Sequence, residues 1–287
     1  MKKQSGFTLV ELMIAGFIGV FVLSGLMNLF ITTNKSVTLS DSLSQNQETG
    51  RFAMDYLTKF IRLAGYSEDF TVFVPPLFIP SGNGVNAITC TGNQSDACAS
   101  NNPVTSPIST LGDKLSIPFN VGGNADDTTR SCTGSVVGGP ANGAQSLVNV
   151  FWVSALPDNI RELRCRTFSR DNNNWLDDPV SIINNVERFE FLIGISNDKS
   201  DRHVSRYVSL DVIEADPLIT LENVRSIRVA VLTTSQDDLE NGKVQSTIRD
   251  RAYGLLDSPT FTINDGNIRN IFSNTIELPN MIESAGL

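Results

Sequence analysis

Glu11 is a carboxylate set near the start of a long apolar run, KQSGFTLVELMIAGFIGVFV and onward to Ile31. Placing an ionised acid in hydrocarbon costs on the order of 3 kcal/mol, and unpaired intramembrane acids usually have a function. Two readings follow. Glu11 lies near the membrane edge and its side chain reaches water, or it neutralises a positive group inside the membrane. A cut between Gly6 and Phe7 would create such a group, a new α-amine at Phe7, about one helical turn from Glu11. A helix N-terminus attracts the carboxylate as well. Within one chain the geometry is only fair. Between parallel helices offset by about a turn, amine and carboxylate could meet closely.

The other reactive groups are four cysteines, Cys90, Cys98, Cys132 and Cys165, and a single histidine, His203. An even number of cysteines in loop-like surroundings, in a chain with an export signal, reads as two disulfides. Four cysteines allow three connectivities. The favoured one pairs Cys90 with Cys98 across a short loop and Cys132 with Cys165 across two later segments. A zinc site is poorly supported, because there is no CxxC pair and His203 lies far from the cysteines. One histidine, in DRHVSRY, excludes most zinc-hydrolase and Ser-His-Asp arrangements. No GxGxxG or GxxxxGK[ST] is present, and GNGVN and GGPANG read as turns. The oxygen-rich stretches SNDKSD (196–201, with Asn197, Asp198, Ser200 and Asp201) and DNNNWLDD (171–178) lack EF-hand spacing and its glycine, so they read as solvated turns. No catalytic residue, metal or cofactor is expected. The net charge of −9 argues against non-specific nucleic-acid binding.

The elements that must carry these residues are legible. The run from Phe7 to Ile31 is long enough to cross a bilayer as a helix. Lys2 and Lys3 precede it, which places the N-terminus in the cytoplasm and the rest outside. The run ends in FITTNKSV with no small-x-small cleavage site, so it reads as retained rather than removed as an ordinary signal peptide. Ala15 and Gly19 have small-xxx-small spacing, and Gly16 and Gly25 add small surface that would let helices approach.

Residues 32–50 are polar and read as a mostly solvated helix or a partly melted bridge. In 51–66, Ala53, Tyr56, Leu57, Phe60, Ile61 and Ala64 recur on one helical face, with Gly65 as a C-terminal stop. Unbroken from Phe7 to Ala64, this helix would be about 87 Å long. The remainder reads as a β-rich head. Strands are expected at 147–153, 161–170, 186–193 and 224–233, where apolar and polar residues alternate or β-branched residues cluster. Leu163, Cys165 and Thr167 share one face of their strand. Short strands are expected at 115–121 and 71–79 within a loop-rich 81–146. The fold class is α+β, a long N-terminal helix packed on a mainly antiparallel sheet.

SGFTLVELMIAGFIGV (5–20) resembles the class III signal of type IV pilins and type II secretion pseudopilins: a basic leader ending in glycine, then Phe-Thr-Leu-Val-Glu, then an apolar helix. The resemblance implies cleavage after Gly6 by a prepilin peptidase, N-methylation of Phe7, and pairing of Glu11 with a neighbouring subunit's N-terminal amine during assembly. QNQETGRFAMDYLTKFIRLAGY resembles the segment after the membrane helix in PilW-type minor pilins. VERFEFLIGISND (186–198), RYVS (206–209), VRSIRVAVLTTS (224–235) and INDGNIRNIFSNTIELPN (263–280) resemble their C-terminal strands, in the same order. Residues 70–150 carry no such likeness, and Ser67 and Glu68 stand where family members often have a glycine-cysteine pair.

The implied organisation is a leader, 1–6; a transmembrane assembly helix, 7–31; its continuation on the head, 32–65; and a periplasmic head, 66–287. The implied function is assembly of a type IV pilus, in a priming or tip complex, without catalysis. Implied partners are the prepilin peptidase, other minor pilins, the major pilin and the inner-membrane assembly platform. The implied location is the inner membrane with the head in the periplasm, then the pilus at the cell surface. Type II secretion pseudopilins share the N-terminal physics. Readings of another class are a single-span anchored periplasmic binding or enzyme domain, which would keep residues 1–6, and a tip adhesin using the 70–150 loops.

Overall fold

The computed structural model describes residues 8–69, 71–79, 92–101, 111–124, 129–155, 160–216, 218–235, 251–263 and 267–283. The leader, with Gly6 and Phe7, and Cys90 lie outside them.

A single helix, α1 (Leu9–Ile61), runs for 53 residues, about 80 Å. No proline interrupts it, and the polar stretch expected as a possible bridge is helical throughout. Thr32, Thr33 and Thr38 donate their hydroxyls to carbonyls four residues back, which satisfies the side chains without leaving the helix. Residues 9–37 are exposed. From Ser42 the helix is docked: Ser42, Asn46, Gly50, Ala53, Met54, Leu57, Phe60 and Ile61 form one buried stripe. The expected apolar face is therefore the docking face, but the contact starts earlier, through polar residues. Asn46 donates to the Ile268 carbonyl at 3.0 Å and accepts from the Thr233 hydroxyl. Gly50 permits the closest approach. A Cβ there would sit 2.1 Å from the Phe272 ring. After the helix, Gly65 turns the chain with φ +75°.

Two antiparallel sheets receive this stripe. The first contains β1 (Leu115–Val121), β2 (Gln145–Ala155), β3 (Arg161–Ser169) and β4 (Asn174–Trp175) in that order, with β5 (Val180–Asn184) also on β3. The second uses β6 (Val186–Ile195), β7 (Arg206–Val208), β8 (Val224–Thr234) and β11 (Arg269–Glu277), in the order β11-β8-β6-β7. A short hairpin, β9 (Arg251–Tyr253) with β10 (Phe261–Ile263), stands apart. Helices α2 (Leu210–Ala215) and α3 (Pro279–Glu283) and two short 3-10 helices, Gly92–Ala97 and Leu221–Asn223, complete the described elements. The architecture is α+β, a long N-terminal helix on antiparallel sheets. Segment 71–79 is not a strand. It carries Pro75 and Pro76, and it instead tucks Leu77, Phe78 and Ile79 fully into the interior.

Alternation places the core. On β6, Phe189, Phe191 and Ile193 face α1, as do Ile227, Val229 and Val231 on β8. From the first sheet come Ile117, Phe151, Leu163 and Cys165. The outer face of β8, Ala230 and Leu232, lies under Tyr253, Leu255 and Phe261 from the hairpin region. The two sheets are joined by residues 111–114, where Gly112 bridges Phe189 in parallel and the Asp113 amide donates to the Phe189 carbonyl at 2.7 Å. Only glycine fits this contact. Its φ is +94°, and a Cβ would lie 2.0 Å from the Phe189 carbonyl oxygen.

Candidate assembly site

The first turn of α1 holds the charge that the sequence singles out. Thr8 is the N-cap residue and Glu11 stands three residues on. The Glu11 amide donates to the Thr8 hydroxyl at 3.3 Å. The Thr8 amide and hydroxyl donate to Glu11 Oε2 at 3.2 and 3.0 Å. This is a reciprocal capping box, and it puts a negative charge where the helix dipole favours it. The pattern Thr-x-x-Glu is present in TLVE, and it adds a reciprocal side-chain cap to the attraction of the helix N-terminus for Glu11. The box fixes the carboxylate at the helix tip, exposed. Phe7, the residue immediately before the cap, lies outside the described residues.

Behind Glu11 the helix is apolar and uncovered. Leu9, Val10, Leu12, Met13, Ile14, Phe17, Ile18, Phe21 and Phe30 are each roughly half or more exposed. Among the described residues this is one helix long and apolar enough to span a membrane. At Gly16, Gly19 and Gly25 an added Cβ would meet nothing within 4 Å, so their surface is open to another helix.

The head contributes rigidity. Phe52, Tyr56 and Phe60 form an aromatic ladder along α1, with centroids 6.0 and 4.9 Å apart. Phe60 continues it to Phe151 of β2 at 6.2 Å. Tyr56 donates its hydroxyl to the Cys132 carbonyl. Asn280 donates to the carbonyls of Arg62 and Ala64 at 3.1 Å each, which ties the end of α1 to α3.

The cysteines resolve differently from one another. Cys98 is disulfide-bonded, and Cys90, its expected partner, lies outside the described residues. Cys132 and Cys165 were expected as a bonded pair. The structure holds them as free thiols, both buried. Burial pushes the Cys132 thiol well above its ordinary value, with the neighbouring Cys165 adding to the effect, and the Cys132 sulfur meets the Thr167 hydroxyl at 3.6 Å.

The remaining candidates become structural. His203 is exposed, and its amide donates to Asp201 Oδ1 at 2.9 Å. In SNDKSD the inward carbonyls are occupied by the protein's own cation. Arg225, 1% exposed, donates to the carbonyls of Lys199 (2.6 Å), Asp201 (2.8 Å), Glu222 (2.6 Å) and Val224 (3.0 Å). The Asp198 carboxylate accepts from the Ser200 amide at 3.1 Å and so caps the turn. In DNNNWLDD, Asp171 accepts from the Ser146 amide at 2.7 Å, and Asp177 accepts from Thr133. Among the described residues no cluster of three His, Cys, Asp or Glu side chains is placed to hold a metal.

Comparison with known proteins meets this geometry at both ends. Residues 1–27 match the prokaryotic N-terminal methylation motif, and residues 150–280 match the type IV pilus-assembly protein W family, PilW. The chain is a type IV pilin-like protein with a PilW domain. The PilW match runs from within β2 to α3, so it covers the second sheet and the strands that receive α1. The methylation motif implies processing by a prepilin peptidase and assembly with other pilins, and with the uncovered apolar helix it marks a membrane-anchored pilin. Among solved structures the pilin is similar to a type IV-like pilin from Thermus thermophilus, at 15% identity and a TM-score of 0.41, over 85% of this chain and 96% of that one. No curated protein matches.

Proposed function

We propose that this pilin is a minor pilin that acts in initiating a type IV pilus or in its tip complex. Residues 1–6 are the leader, removed between Gly6 and Phe7, and Phe7 is then N-methylated. Glu11 offers its carboxylate to the Phe7 amine of a neighbouring subunit. Its other partners are the major pilin, further minor pilins and the inner-membrane platform. The head faces the periplasm while the subunit waits in the inner membrane, then reaches the cell surface with the filament.

The observation that carries this reading is the first turn of α1. A carboxylate held at an exposed helix tip by its own capping box, ahead of an uncovered apolar helix, is a poor anchor but a good docking charge. A plain membrane anchor gains nothing from it, because burying it unpaired costs on the order of 3 kcal/mol. A neighbour's amine offsets that cost.

The test separates processing from assembly. Mass spectrometry of the protein from its own cells is expected to give an N-terminal peptide beginning at Phe7, heavier by one methyl group. A peptide beginning at Met1 or Lys2 would replace this reading with an uncut anchor. Glu11→Ala is expected to be processed normally yet depleted from sheared pili. Wild-type levels of that variant in pili would refute the docking role of Glu11.

A further inference from the structure

Among the described residues, the head closes the edges of its long strands with one exception. The edge of β1 away from β2 is covered by the chain after α1. There the Gly65 amide donates to the Pro118 carbonyl at 3.3 Å, the Asn120 amide to the Tyr66 carbonyl at 2.8 Å, and the Phe78 amide to the Ser116 carbonyl at 3.1 Å. β3 is closed by β4 and β5. β6 is closed by β7 and by residues 111–113, with the Phe189 amide on the Leu111 carbonyl at 3.3 Å. β11 pairs with β8 alone. The register shows which of its groups face out. At one end of the ladder the Ser235 amide donates to the Ile268 carbonyl, and at the other the Leu278 amide donates to the Arg225 carbonyl, both at 2.9 Å. Antiparallel pairing alternates, so residues 270, 272, 274 and 276 turn their amides and carbonyls to β8, while Ile271, Ser273 and Thr275 turn theirs away. Ile271 is 42% exposed, and Ser273, Asn274 and Thr275 are exposed in a row, which takes in both faces of the strand.

An open edge is ordinarily guarded by a lysine, a proline, a bulge or a short strand. β11 has none of these. From Asn270 to Ile276 it carries no charge and no proline, and its register on β8 runs unbroken from Arg269 to Glu277. Its direction narrows what can sit there. Asn46 reaches the Ile268 carbonyl at 3.0 Å, Gly50 lies against Phe272, and Asn274 reaches the Thr58 hydroxyl at 3.3 Å. From Asn46 to Thr58 the helix rises about 18 Å, and from Ile268 to Asn274 the strand advances about 20 Å. Strand and helix therefore run level and in the same direction. Two copies paired antiparallel through β11 about a two-fold axis would point their apolar helices opposite ways and could not share one membrane. The edge instead lies along the docked half of α1, continuous with the uncovered helix that assembles with other pilins.

We infer that β11 is an assembly edge, which takes an extended, uncharged segment of a different pilin subunit as a further strand of the second sheet. The added segment exchanges backbone hydrogen bonds with Ile271, Ser273 and Thr275, and these bonds supply the affinity. The uncharged run 270–276 selects against a charged segment, which would meet no counter-charge between Arg269 and Glu277. The identity of the partner rests on the proposed assembly into a pilus, but the open edge does not.

Residue-resolved amide hydrogen exchange on the full chain in detergent reads the edge directly. The Ile271, Ser273 and Thr275 amides are expected to exchange at least tenfold faster than those of Phe272 and Asn274, and equal protection would refute an open edge. Ser273→Pro then removes one outward donor without touching the ladder to β8. In the protein's own cells this variant is expected to be cut before Phe7 and to keep the wild-type urea midpoint, yet to fall at least tenfold in sheared pili, while Ser273→Val, which keeps the donor, stays at the wild-type level. Wild-type incorporation of Ser273→Pro would refute the added strand. If Ser273→Pro loses stability, Ser273→Lys decides by the same readout, because it guards the edge and leaves the backbone intact. Ser273→Cys that links to a second copy of itself would assign the edge to a homodimer and overturn the different partner. Absence of the wild-type protein itself from sheared pili would remove the pilus reading. The edge is then judged in the assembly extracted from membranes with detergent, where tenfold slowing of the same three amides would support it and unchanged exchange would refute it.

Discussion

Glu190 is buried on β6 in a place where charge is costly. Asp113, from the segment joining the two sheets, lies beside it, and the Arg188 guanidinium pairs with it from the same strand face, over the Phe261 ring at 5.2 Å. Burial, and next the Asp113 charge, push the Glu190 carboxyl from 4.5 up to about 8. At neutral pH Glu190 is therefore protonated between Asp113 and Arg188. In the unfolded chain Glu190 releases its proton near 4.5. Between 4.5 and about 8 the folded state binds one more proton than the unfolded state, so the favourable contribution is complete below 4.5 and lost as pH rises through 8. At about 1.4 kcal/mol per pH unit, holding that proton costs about 3 kcal/mol by pH 7.

Glu190→Gln removes this cost. The amide keeps a donor for Asp113 and an acceptor for Arg188, and it does not titrate. The full-length pilin in detergent, unfolded by urea at several pH values from 5 to 8, is expected to lose about 3 kcal/mol more across that range than the Gln variant. Titrating groups remote from Glu190 are common to both proteins and cancel in the difference. Parallel stability curves would mean that Glu190 is ionised in the folded head, and the account of this cluster would be wrong.

Two further perturbations test the frame around the site. Arg225→Met removes the guanidinium that satisfies four backbone carbonyls of the 199–224 region; it is expected to lower unfolding free energy by about 3–5 kcal/mol, and a urea midpoint within error of wild type would show those carbonyls to be satisfied otherwise. Gly112→Ala forces a Cβ onto the Phe189 carbonyl and is expected to cost about 2–4 kcal/mol. Gly134 also has positive φ, +92°, but has open space around it; Gly134→Ala is therefore expected to cost only about 1 kcal/mol, and equal losses at both sites would remove the argument from close approach.

Much was legible in the sequence because it depends on periodicity along a single element. The apolar run and Glu11 are local facts, and so are the docking face from Ala53 to Ala64 and the alternation that sends Phe189, Phe191 and Ile193 inward. The strand at 115–121 was found for the same reason. The signal at Thr8 was equally local and was passed over.

Other features were set by which elements meet. Alternation puts Arg188 and Glu190 on the face of β6 opposite the core, but the hairpin region covers that face and makes them a buried charge cluster. Glu187 and Arg269, 82 positions apart, join in a two-pronged ion pair at 2.6 and 2.8 Å, which no short-range pattern could announce. The acidic turn at 196–201 keeps residues 197–200 exposed, as a solvated turn should, but which group fills its inward carbonyls was decided by Arg225 from a following strand. Segment 71–79 has the apolar content of a strand but lies in a non-strand path, because two prolines cannot donate to a ladder. The periodicity of one chain segment fixes which face is apolar. Only tertiary packing decides what covers the opposite face, and with it whether a charge, a thiol or a carbonyl there meets water or a partner.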